Sequence, residues 1–147
     1  YLTPSLELRK DITREIRRHK PDVLITTAPF RTLGQNYGSS HPDHIAAGEA
    51  ALSSVYPTAR DRLTFPELLD EGFEPHKVRE VWVMSREDAD HFNDISEEDM
   101  ETALKALAAH TSQVPPEAIE RVRAWKSENG KAYNMKYAES FRTFTLR

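Results

Sequence analysis

The chain has 147 residues, 38% hydrophobic and 30% charged, which is the composition of a globular domain and not of a disordered tail. It contains no cysteine, which excludes a disulfide scaffold, a thiolate metal site and thiol catalysis, and fits the reducing cytoplasm as the expected location. The formal net charge is −4 and no stretch gathers Lys and Arg into a block, so nucleic acid is not an expected partner. No apolar run nears the roughly 20 residues that span a bilayer, so no membrane span is expected either.

The length predicts one domain over residues 1–147. Thr3-Pro4 reads as a helix start, and Leu8, Ile12 and Ile16 recur at every fourth position among charged residues, the stripe of an exposed helix. Pro21 ends it. Val23 to Thr27 follows, β-branched and uncharged, and reads as a strand buried on both faces, as in parallel sheets. Residues 28–40 form a Gly-, Asn- and Ser-rich loop. His41 to Tyr56 reads as a helix with Ser40 as its N-cap and a face of small residues.

Phe65 to Leu69 predicts one short helical turn inside a long connection. Val78 to Met84 is a second strand. Ser96 and Asp99 form a capping signal for a helix over Glu97 to His110, and Pro115-Pro116 opens another that Asn129-Gly130 should stop. Phe141 to Leu146 is the last strand. This alternation predicts an α/β fold. Three strands offer too little sheet for the apolar faces of four helices, so part of the sheet is expected to lie outside these residues.

The chemistry concentrates in His41-Pro42-Asp43-His44. The motif stands at a helix start, after the loop that leaves a strand, where open α/β sheets collect ligands. Residues three apart on a helix project from the same side, so the two imidazoles share a face. Neutral imidazole binds a metal or polarises a carbonyl, and Asp43 between the rings can accept a ring N–H and fix its tautomer. The alternative reading makes His41 and Asp43 capping groups and His44 a surface residue. The HxHxDH pattern of binuclear hydrolases fits at His41, Asp43 and His44 but has Ser39 where its first histidine belongs. No nucleophile elbow, phosphate loop, dinucleotide fingerprint or HExxH motif occurs.

With these residues in hand, the sequence resembles the GlcNAc-PI de-N-acetylase family, the PIG-L/LmbE-like zinc deacetylases. The resemblance is carried by Lys20 to Thr27, by His41-Pro42-Asp43-His44-Ile45-Ala46-Ala47-Gly48-Glu49-Ala50, by Phe65-Pro66-Glu67-Leu68 and by Ala109-His110-Thr111-Ser112-Gln113. It implies a Rossmann-like layered fold with a mostly parallel sheet and flanking helices, a catalytic Zn2+, and hydrolysis of an N-acetyl group on a glucosamine-containing small molecule or glycoconjugate. It further implies that His44 is a metal ligand, that His41 stabilises the oxyanion or protonates the leaving amine, and that Asp43 supports it. Phe30, Arg31 and Tyr37 are the expected substrate-loop residues.

The family's first signature, AHPDDE, is absent from this chain. It supplies the other zinc ligands and the general base, so the resemblance implies the C-terminal part of such an enzyme, incomplete without an N-terminal segment. That N-terminal half is the expected partner, beside the N-acetylated sugar and a homo-oligomer. The alternative is a non-catalytic α/β fragment or interaction module with an exposed sheet edge.

Overall fold

Ser5 starts the first helix, α1 (Leu6–His19), by accepting the Leu8 N–H on its hydroxyl, so the cap is Ser5 and Pro4 lies just outside the helix. The computed structural model describes residues 1–31, 41–84 and 88–146. Lys20, in the left-handed region, closes α1, and the chain passes directly into β1 (Val23–Thr26). After it come α2 (Pro42–Ser53), continued by a π-helical stretch at Ser54–Thr58, the short α3 (Glu67–Asp70) and β2 (Glu80–Met84). The chain ends with β3 (His91–Asp94), α4 (Glu97–Ala108), α5 (Pro116–Lys131) and β4 (Ala138–Thr145).

The chain divides into two compact units, residues 1–85 with 142–147, and residues 86–141. In the first unit β1 pairs in parallel with β2, setting Leu24 opposite Val81 and Ile25 opposite Trp82. Ile16, Val55, Val78, Val81 and Val83 form its core, with Leu24 packed against them. The expectation that β1 is buried on both faces is corrected: Val23 and Ile25 alternate with the core residues and remain exposed. β1 is also an edge strand of the described sheet, whose order is β1-β2-β4-β3.

The sheet is mixed and not mostly parallel. In the second unit β3 runs antiparallel to β4, with His91 opposite Phe141 and Asp94 opposite Ala138. In the first unit the Leu146 N–H, beyond the end of β4, bonds the Arg79 carbonyl, just before the start of β2, which is an antiparallel arrangement. The physical reason is β3, a four-residue strand: α4 and α5 follow it, and the chain returns through β4 in the opposite direction alongside it. Met100, Leu104 and Tyr137 form the core of this unit. Gly130 lies inside the last turn of α5 and does not stop it; a side chain there would collide with the Met135 backbone.

One buried group has no precedent in the apolar pattern. Arg17, 1% exposed, faces inward from α1 and donates from Nη2 to the carbonyls of Thr58, Asp61 and Thr64 at 2.9, 2.8 and 3.1 Å. One turn earlier, Thr13 shares a 2.5 Å hydroxyl bond with Thr58. The Arg17 Nε donates to the Ala59 carbonyl at 3.3 Å, while Nη1 is buried without a partner among the described residues; the bonds Arg17 does make tie the irregular chain after α2 to α1.

Candidate active site

Two contacts of the segment leaving β1 set the place of α2. Thr27 donates from Oγ1 to the main-chain carbonyl of His44 at 2.6 Å. One turn further along α2, Gly48 lies so close that an added Cβ would stand 2.5 Å from the Thr27 carbonyl oxygen and 3.1 Å from Ala28 C. Backbone meets backbone here, which only glycine permits. His44 and Gly48 are four apart, so the first turn of α2 is held against the carboxyl end of β1 at two successive levels.

His41 is the N-cap of α2, with extended ψ of 134°, and its Nδ1 accepts the Asp43 N–H at 3.1 Å. The expected cap, Ser40, lies outside the described residues. Pro42 occupies the first helical position, where a missing N–H costs no helical hydrogen bond. The rings of His41 and His44 stand side by side, centroids 5.6 Å apart and tilted by 49°, and both residues are exposed. Neither turns into the core.

Asp43 is half-buried, and its Oδ1 accepts the Leu2 N–H at 2.9 Å. That hydrogen bond holds its carboxyl below the ordinary aspartate value, with a lesser contribution from the positive charge of the amino terminus. No hydrogen bond joins this carboxylate to either ring, in contrast to the sequence expectation; it is the amide of Asp43, not its side chain, that meets His41.

The structure thus brings together His41, Asp43 and His44. Phe30 and Arg31 are exposed in the segment that follows β1, and Tyr37 lies outside the described residues. Sequence reasoning missed Leu2, Thr27 and Gly48. Gly48 had a legible signal, a glycine one turn after His44 in a run of alanines; Leu2 had none, because it contributes only its backbone. Among the described residues, no three His, Cys, Asp or Glu side chains converge as a metal site, and no helix is long and apolar enough to cross a membrane.

No protein-family model matches the sequence, and no curated protein matches it. Solved structures do. The chain is similar to the N,N'-diacetylchitobiose deacetylase of Pyrococcus horikoshii, with 27% identity and a TM-score of 0.80 over 97% of this chain and 52% of that one. A conserved protein of Thermus thermophilus shares 22% identity at a TM-score of 0.75, covering 99% of this chain and 62% of that one. The 4-carboxy-2-hydroxymuconate hydratase GalB of Pseudomonas putida shares 16% at a TM-score of 0.61, covering 97% and 60%. The last two show the fold alone, which carries a hydratase as well as a deacetylase, so function has to be argued from the site. The chain spans about half the length of the deacetylase it resembles.

Proposed function

We propose that this chain is the part of a zinc-dependent N-deacetylase that carries one metal ligand, His44, and the residue facing the scissile carbonyl, His41. The observation that carries the reading is the pair of exposed imidazoles, 5.6 Å apart, on the first turn of a helix braced against the end of β1. The similarity to a diacetylchitobiose deacetylase supports the same chemistry and an N-acetylated glucosamine-type substrate.

The donor set fits zinc as a fraction of a site. A catalytic zinc takes about three protein ligands. The ring of His44 is exposed and accepts no hydrogen bond from a described residue, so a nitrogen is available to a metal, whereas Nδ1 of His41 is already engaged. The further ligands and the general base come from outside the described residues, in the family pattern from a segment N-terminal to them. When bound, zinc supplies Lewis-acid polarisation of an amide carbonyl and makes water more acidic. His41 then offers a hydrogen bond where the carbonyl oxygen gains negative charge, a contribution of about 3 kcal/mol in comparable sites. Asp43, ionised and tied to Leu2, adds negative potential beside both rings. Phe30 and Arg31 line the substrate in this reading.

The partner segment docks at the open edge of β1. Among the described residues no strand pairs with that edge, Ile25 stands 55% exposed beside it, and a groove lined by Ile12, Ile16, Pro21 and Leu24 joins α1 to it.

The test is complementation. The chain is co-expressed with the segment bearing AHPDDE, and amine release from N-acetylglucosamine compounds is measured. His44→Ala should abolish both metal uptake and activity. His41→Ala should keep the metal and lose about 10²–10³ in turnover. Full activity in His44→Ala, or metal loss in His41→Ala, overturns the assignment.

A further inference from the structure

Asn129-Gly130 is the one Asn-Gly pair in the chain, and it lies inside α5 instead of ending it. In a flexible chain such a pair loses its side-chain amide readily, because glycine puts no side chain in the way of its own nitrogen. That nitrogen attacks the asparagine Cγ, ammonia leaves with the nitrogen's proton, and water opens the succinimide to aspartate or isoaspartate. The fold opposes the first step. The Gly130 N–H belongs to the helical ladder of α5, and the backbone there runs so close to Met135 that an added Cβ would stand 2.4 Å from its carbonyl oxygen. The Gly130 carbonyl accepts the amides of Tyr133 and Met135 at 3.0 and 3.1 Å, which closes the turn after the helix. The Asn129 side chain is turned to β4, where Nδ2 donates to Ser140 Oγ at 3.2 Å and to the Ala138 carbonyl at 3.4 Å.

We propose that Asn129-Gly130 is a deamidation site gated by the fold: the latch of Asn129 on β4 keeps it closed, and each opening of the end of α5 exposes it. Ring closure needs the Asn129 Cγ in reach of the Gly130 nitrogen. A helical backbone that commits this N–H to the helix axis, with the side chain pinned on β4, withholds that geometry. The change runs one way. A carboxylate only accepts, so the deamidated side chain has no hydrogen to give the Ala138 carbonyl. Isoaspartate also adds a carbon to the backbone of the last turn, where Gly130 has no room to shift against Met135. The pair therefore records how long this end of the helix has stood open, and a molecule that reacts loses the latch for good.

Peptide mass spectrometry of the full chain, aged at neutral pH in buffer and in unfolding urea, reads the conversion of each asparagine. In urea Asn129 should convert at least about tenfold faster than Asn93 and Asn134, which lack a following glycine. In buffer its rate should fall by at least about tenfold, and a folded Ser140→Ala variant should recover part of that loss. Equal rates at Asn129 in buffer and urea, no lead over Asn93 and Asn134 in urea, or an unchanged rate in folded Ser140→Ala overturns the proposal. Where Ser140→Ala fails to fold, the parent decides: in urea below the unfolding transition, Gly130 amide exchange and Asn129 deamidation should rise together. Deamidation that stays flat while that amide opens overturns the gate.

Discussion

Asp61 and Arg17 show how single polar residues hold the irregular chain after α2. The Asp61 carbonyl accepts from Arg17, while its carboxylate accepts the Thr64 hydroxyl at 2.5 Å and the Leu63 N–H at 3.0 Å. Those bonds, the Thr64 hydroxyl first, hold the carboxyl below the ordinary aspartate value. A depressed folded-state value stabilises the fold fully above the unfolded value of about 4, and that stability disappears as pH falls through the depressed one. Asp61→Asn should therefore lower stability by a constant amount above about pH 4, with the gap to the parent closing only in stronger acid. Urea unfolding at a series of pH values checks this; a gap that widens towards acid refutes it. Arg17 itself was invisible to the apolar pattern, because a buried cation looks like any other charged residue until the carbonyls it serves are folded around it.

At the scale of elements, α2 is the helix on which the site depends. Its start, its small-residue face and the two imidazoles on one side follow from HPDH and the alanines behind it. Its position follows from Thr27 and Gly48. Gly48→Ala places a methyl group against backbone that cannot move aside, and should cost about 1–3 kcal/mol. The same shift lifts His44 from the end of β1, so complemented metal affinity should fall more than a thermal-unfolding loss of that size explains. Calorimetry alongside metal titration checks it, and an unchanged melting temperature contradicts the close approach. The elements read least well were the short ones. β3, with four residues, has no run long enough to show a two-residue period, and the first half of β4 needed that partner before it declared itself a strand.

On the scale of the molecule, β1 has one hydrogen-bonded edge and, among the described residues, one open edge, and only one of its faces enters a core. Ile25→Lys changes an exposed side chain, so the chain's own stability should stay within about 0.5 kcal/mol. If the proposed partner segment seats at the open edge of β1, complementation should nevertheless drop at least tenfold, because the new charge stands beside that edge. Equal complementation in the variant and the parent moves the docking surface elsewhere. Titrated alone, the chain should bind zinc weakly, since the described residues bring no three-ligand cluster together; a tight stoichiometric site shown by calorimetry contradicts that. The amino-acid sequence by itself determined where the long helices lie, the Ser96 cap of α4 and the pairing of His41 with His44 on one turn, because each depends on residues within a few positions of one another. Only the tertiary structure decided the direction of the strands, the exposure of Val23 and Ile25, the tether from Leu2 to Asp43 and the brace from Thr27 to His44. Those bonds join residues 41 and 17 positions apart, and the free energy that selects them comes from burial and backbone approach that no local pattern encodes.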